Sequence, residues 1–292
     1  MKKRFRYVFN LLAYFLCAIL VVGGLPALYV SDRSARAYLH PAKIPADTAW
    51  LQQNNIPYQE IKLITKDGVT LSAWYTPPQN GKVILLAHGL GGNRPAGFHV
   101  MFAQHGYGVV SWDFRAHGTS GGDFSSLGYY EQLDVEAALD YALSQPGVEH
   151  VGAWGQSLGA AIVILAAAKR PEIEAVVADS SFPTLEDALR VGIPLEFMEP
   201  LVIGLYEFHS GIRVDNVRPV DVIGQISPRA VFIIDGWQGG AIAMNSPNRL
   251  YDAAKLPKEI WVEKGVPHMG MNGFDPALYE QKVMDFFEKY LR

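Results

Sequence analysis

One ten-residue stretch constrains this chain more than any other. Val151, Gly152, Ala153 and Trp154 form a short apolar run, Gly155, Gln156, Ser157, Leu158 and Gly159 follow as Gly-x-Ser-x-Gly, and Ala161, Ile162, Val163, Ile164 and Leu165 open an apolar helical stretch. In the order strand, turn, helix, this motif is a nucleophile elbow, a sharp bend that lifts a serine hydroxyl clear of a sheet. Glycines on either side of the serine fit a strained turn in which a Cβ would collide with neighbouring backbone. The helix that begins there points its first amides toward developing negative charge.

The rest of the pattern supplies a sheet for such an elbow. From Tyr58 the chain alternates, with Ile61 and Leu63, then Val69, Leu71, Ala73 and Tyr75, around Asp67 and Gly68 as a turn, which reads as a β-hairpin. Apolar strands are expected at 83–87, 108–112, 151–154, 175–178, 231–234 and 260–262, with helices at 129–144, 157–169, 246–254 and 276–290. Strands alternating with helices imply βαβ units and a mostly parallel sheet covered on both faces. At 292 residues and 49% hydrophobic content the chain can bury such a core.

The N-terminus has a different character. Lys2, Lys3, Arg4 and Arg6 precede an apolar run over 7–30, interrupted mainly by Asn10. As one helix the run would be about 36 Å long, enough to cross a hydrocarbon core of about 30 Å. It is longer than a signal-peptide core, so one uncleaved transmembrane helix is expected over 1–30, followed by a polar juxtamembrane linker over 31–57 with Pro41 and Pro45. The basic cluster outweighs Arg33 and Arg36, which places the N-terminus in the cytoplasm and the following domain outside the cell membrane.

Several function classes find no support. The net charge of −4 and the lack of a basic run in the globular part give no nucleic-acid footprint. The single cysteine, Cys17, allows no intrachain disulfide, and the eight histidines lack the spacing of a metal site. Gly89 to Arg94 could be taken for a dinucleotide loop, but its sixth position is Arg94 rather than glycine. No cofactor is expected.

Four motifs in order carry a family resemblance. They are His88-Gly89-Leu90-Gly91-Gly92-Asn93-Arg94, Asp113-Phe114-Arg115-Ala116-His117-Gly118, the Ser157 elbow, and His268 after the last strand. Residues 58–292 resemble an α/β-hydrolase of the serine-aminopeptidase-like group that also contains membrane-anchored BEM46-like proteins. The resemblance implies Ser157 as nucleophile, His268 as general base, and the backbone amides of Leu90 and Leu158 as the oxyanion hole. It gives His88, Arg115 and His117 a scaffolding role. No residue supports a cofactor-free lyase or peroxidase on the same fold.

The third catalytic group departs from the family. Its usual Gly-x-x-Asp is here Gly236-Trp237-Gln238-Gly239, so glycine occupies the acid position. Asp235 at the strand tip is ranked first as a substitute, Asp179 at the end of the sixth strand second, and Asn245 is available as a neutral orienter; the site could also have no acid. The insertion over 183–229 has an apolar middle from Val191 to Tyr206 and reads either as a small cap over the serine or as a core-packed crossover. The expected function is a membrane-anchored serine hydrolase that cleaves a hydrophobic ester, thioester or amide of a small molecule or peptide through an acyl-enzyme. The alternative is a catalytically silent binding domain, motivated by Gly239.

Overall fold

A computed structural model of the chain describes residues 2–191, 193, 195–237 and 246–292. The expected strands form one eight-stranded sheet: β1 (Gln59–Ile64), β2 (Thr70–Thr76), β3 (Lys82–Ala87), β4 (Gly108–Trp112), β5 (His150–Gln156), β6 (Ile173–Asp179), β7 (Ala230–Trp237) and β8 (Lys258–Lys264). Their order is β1-β2-β4-β3-β5-β6-β7-β8. The hairpin pairs Ile61 with Ala73, and β2 joins β4 antiparallel, Tyr75 opposite Val110; every pairing from β4 to β8 is parallel. The central strands are apolar because both faces are covered.

Twelve α-helices accompany the sheet among the described residues. Before it come α1 (Lys2–Ile19), α2 (Leu25–Leu39) and α3 (Ala49–Gln53). Within it run α4 (Ala96–Gln104), α5 (Glu131–Ser144), α6 (Leu158–Lys169), α7 (Leu185–Val191), α8 (Glu199–Ser210), α9 (Pro219–Val222), α10 (Ser246–Ala253), α11 (Met271–Phe274) and α12 (Pro276–Tyr290). One face of the sheet packs on Val135 and Leu139 of α5, Ile162 and Ile164 of α6 and Leu250 of α10. The other packs on Phe102 of α4 and on Tyr279, Val283 and Phe287 of α12. The parallel strands thus direct their carboxyl ends to one edge, where the motifs gather.

The N-terminal expectation of a single transmembrane helix is corrected. The apolar run is divided between α1, a π-helical segment (Leu20–Gly24) and α2, and among the described residues no helix is long and apolar enough to cross a membrane. The composition explains this: α1 spends its first turns on Lys2, Lys3, Arg4 and Arg6, and α2 ends among Asp32, Arg33 and Arg36. The stretch expected as a linker holds the second half of α2, whose Ser31, Ala35 and Leu39 are buried, and α3, whose Leu51 is buried. Asp32 sits 2.6 Å from His209 of α8, and Ser125 donates its backbone N–H to the Leu39 carbonyl at 2.8 Å. This segment is packed on the domain rather than tethering it.

Candidate active site

Ser157 occupies the bend between β5 and α6 with φ +53° and ψ −114°, outside the regions an ordinary residue prefers. The flanking glycines hold that geometry by close approach. A Cβ on Gly155 would lie 2.4 Å from the Gly159 carbonyl oxygen, and one on Gly159 would lie 2.2 Å from that of Ala87. Neither obstacle is a flexible side chain, so strand and helix can meet this closely only if both residues are glycine. The backbone N–H of Ser157 donates to the Asp179 carbonyl at 2.8 Å, tying the bend to β6.

The structure brings the predicted nucleophile and base together. His268, in the loop after β8, places Nε2 2.9 Å from Ser157 Oγ. In the neutral imidazole that nitrogen accepts from the hydroxyl, the arrangement in which a base can take the serine proton. The ring still meets solvent, yet the protein crowding around it lowers its pKa from the ordinary histidine value. It is therefore uncharged, and competent as a base, at neutral pH.

Leu158 begins α6, where the first backbone N–H groups have no intrahelical acceptor. Leu90 stands across the same cavity. Gly89 runs so close to the nucleophile that a Cβ there would sit 3.3 Å from Ser157 Cβ. Leu90 and Leu158 thus both border the cavity at Ser157. His88 is committed to that loop: Nε2 accepts the Phe114 N–H at 3.0 Å, so Nδ1 carries the proton and donates to the Gly89 carbonyl at 2.7 Å. Burial, helped by neighbouring His117, pushes its pKa down to about 3, so it stays neutral. Arg115 is likewise structural, with ion pairs to Asp134 at 2.7 Å and Asp67 at 2.8 Å.

The two candidate acids go to different places. Asp179 is fully buried beneath the site and accepts from Tyr279 Oη at 2.9 Å, Ser180 Oγ at 2.8 Å and Gln156 Nε2 at 3.2 Å, while Trp154 Nε1 donates to Tyr279 Oη at 2.9 Å. Its hydrogen bonds thus go to Tyr279, Ser180 and Gln156, and none goes to His268. Asp235 does line the cavity with Ser157 and His268. Burial, and then the nearby Asp179 charge, raise its pKa to about 7, against the opposing pull of the Gly236 amide and Ser180 hydroxyl. Among the described residues no carboxylate is hydrogen-bonded to the His268 ring, whose one partner is Ser157. Gly239 and Asn245 lie outside the described residues.

The cavity itself measures about 430 Å³. Its apolar wall comes from Leu127, Phe182, Leu185 and Leu189, with Tyr38 closing it from α2. Within the 183–229 insertion, α7 contributes Leu185, Ala188 and Leu189 to the cavity that Ser157 also lines, and α8 buries Val202 and Tyr206. Thr184 caps α7, donating to Asp187 Oδ2 at 2.6 Å while accepting the Asp187 backbone N–H at 3.1 Å. Arg249 of α10 reaches the same Asp187 oxygen at 2.8 Å, balancing the carboxylate that α7 presents to the cavity. Two contributors escaped the sequence reading. Tyr38 carried no signal, because it fell in a stretch read as linker, and Ser180 was legible only as the neighbour of Asp179.

With that geometry established, the comparisons fall into line. The α/β-hydrolase-fold family model matches residues 82–216. An uncharacterized protein of Mycobacterium tuberculosis is 27% identical over 281 residues, 93% of this chain and 92% of that protein. Protein bem46 of Schizosaccharomyces pombe is 26% identical over 203 residues, 64% of this chain and 66% of its own length. Among solved structures, an esterase of Pyrococcus furiosus superposes with a TM-score of 0.73 at 24% identity, covering 87% of this chain and 99% of the esterase. Est1E of Butyrivibrio proteoclasticus, solved with ferulic acid bound, superposes with a TM-score of 0.63 at 20% identity, covering 79% of this chain and 98% of Est1E. The family match and the superpositions support the α/β-hydrolase fold for this chain, and a BEM46 protein is among its relatives.

Proposed function

We propose that the protein is a membrane-associated serine hydrolase acting on a carboxylic ester, with thioesters and amides as chemically related substrates. The observation that carries this reading is the 2.9 Å contact between Ser157 Oγ and His268 Nε2 at the mouth of an apolar cavity. Ser157 Oγ attacks the ester carbonyl as His268 takes its proton, and the Leu90 and Leu158 amides hold the oxyanion. The acyl carbon–oxygen bond then breaks, His268 returns the proton to the departing alcohol, and an acyl-enzyme remains. Water, deprotonated by His268, releases the carboxylic acid and restores the serine. Asp235 supports this site from within the cavity wall rather than by a direct bond to the imidazole.

Membrane association belongs to the same proposal. The apolar 7–30 run exposes Phe9, Leu12, Phe15 and Val22, a surface suited to lying in a bilayer, and the basic residues before it suit anionic lipid headgroups. The partners are a hydrophobic acyl substrate and the lipid bilayer. The bare His268 ring favours one second reading, a domain that binds acyl compounds without turning them over. A fluorophosphonate probe separates the two: a hydrolase is labelled and Ser157→Ala abolishes the labelling, whereas a silent domain takes up no probe.

A further inference from the structure

One helix joins the apolar N-terminal run to the nucleophile. The first turns of α2 expose Leu25, Leu28 and Tyr29, while its last turn buries Ala35 and Leu39 and sets Tyr38 into the cavity wall beside Phe182 and Leu185. Tyr38 Oη donates to the Leu189 carbonyl of α7 across a long 3.4 Å, so the two helices that bound the cavity meet at this side chain. The cap that shares this wall is apolar on its outside as well: Val191 is 71% exposed, Phe197 68% and Phe208 79%. Exposed apolar residues on α2 and on α8, two helices that pack together, make the kind of surface a bilayer covers.

Resting on the hydrolase reading above, we infer that the cavity receives the fatty-acyl chain of an ester lipid drawn from the bilayer between α2 and α7, and that Tyr38 sets the chain length accepted. A cavity of 430 Å³ with a wall of leucine, phenylalanine and tyrosine suits a flexible hydrocarbon better than a sugar or a polyanion. Asp187, the charged residue of α7 that lines the cavity, is already matched by Arg249. The ester carbonyl would stay at Ser157 near the solvent-exposed His268, leaving the polar leaving group outside and the chain inside.

The experiment uses the full chain in vesicles of dioleoylphosphatidylcholine and dioleoylphosphatidylglycerol, with p-nitrophenyl butyrate and p-nitrophenyl dodecanoate as probes. Tyr38→Trp should lower the dodecanoate-to-butyrate ratio of kcat/KM by about tenfold, and Tyr38→Ala should raise it. Ala188→Phe, which adds bulk from the α7 side, should lower it as Tyr38→Trp does. Ratios within about twofold of the parent in all three variants would overturn the role of Tyr38. Phe208→Asp, on the outer face of the cap, should reduce turnover of vesicle-embedded dodecanoate several-fold more than turnover of the same ester dissolved in water; equal losses would overturn the bilayer route. A Ser157→Ala protein that still turns over both esters would instead overturn the hydrolase reading, and this inference with it.

Discussion

Met269 donates its backbone N–H to Ser180 Oγ at 3.0 Å, and both residues lie in the left-handed backbone region, at φ +61° and +60°. Neither is glycine, so each conformation carries strain that its surroundings must sustain. Ser180 is held in turn by Asp179, which receives its hydroxyl at 2.8 Å, and by its own N–H on the Ile234 carbonyl at 2.7 Å. Met269 directly follows His268. His268 is thus braced from beneath by a buried chain that runs from Trp154 through Tyr279, Asp179 and Ser180 to the loop itself.

Breaking that brace should lower turnover without abolishing binding. Ser180→Ala removes the acceptor for the Met269 N–H, and His268 should drift from its 2.9 Å contact with Ser157. A misplacement on the scale of an ångström costs on the order of a hundredfold, so kcat should fall by about 10–100-fold with a smaller change in KM. Ser180→Thr retains a hydroxyl and should recover part of the loss. Equal kcat in the alanine variant and the parent would remove the brace from the mechanism.

The pH profile should carry the mark of an imidazole with no hydrogen-bonded carboxylate. Burial lowers the His268 pKa, and among the described residues no ion-paired acid opposes it. For a neutral ester, kcat/KM should therefore stay level through neutrality and decline only below the ordinary histidine value of about 6.5, where the base becomes protonated. A midpoint at or above 7 would mean that a carboxylate charges the ring in the working enzyme.

How much of this could be read from residues alone varies with the range of the interaction. The elbow was legible because its determinants are local: Gly155 and Gly159 lie two residues either side of Ser157, and their close contacts come from β3, β5 and α6. The sheet was legible because its parallel strands are continuously apolar, and the hairpin because its apolar residues alternate about Asp67 and Gly68. The Asp179 network was not, since its four side chains come from β5, β6, the turn after it and α12, and no spacing rule links Trp154 to Tyr279. Tyr38 was hidden for a related reason. Whether a helix beside an apolar run points into water, lipid or a cavity depends on what packs against it, here α7 and α8.

Asp235 should make the protein more stable in mild acid than in mild base. Its folded pKa, raised to about 7, exceeds the ordinary carboxylate value of about 4, so between those limits the folded state holds a proton that the unfolded state has lost. Stability from this group is complete below about pH 4 and declines as pH rises toward 7. Asp235→Asn keeps the shape and removes the titration. It should raise Tm by a few degrees at pH 8 and hardly at all at pH 5, measured by thermal unfolding of matched samples. The same gain at both pH values would show that the parent carboxyl is ionised throughout.

The N-terminal helices should separate into a membrane part and a structural part. Full-length protein should sediment with membranes, and a fragment beginning at Leu25 should bind them more weakly yet keep its ester turnover, because α2 and Tyr38 remain. A fragment beginning at Tyr58 would also lose Ala35, Leu39 and Leu51, all buried. Full burial of one leucine is worth about 1.5–3 kcal/mol, so this shorter fragment should unfold at a markedly lower temperature and hydrolyse poorly. A full-length protein that stays in the supernatant would end the case for membrane association.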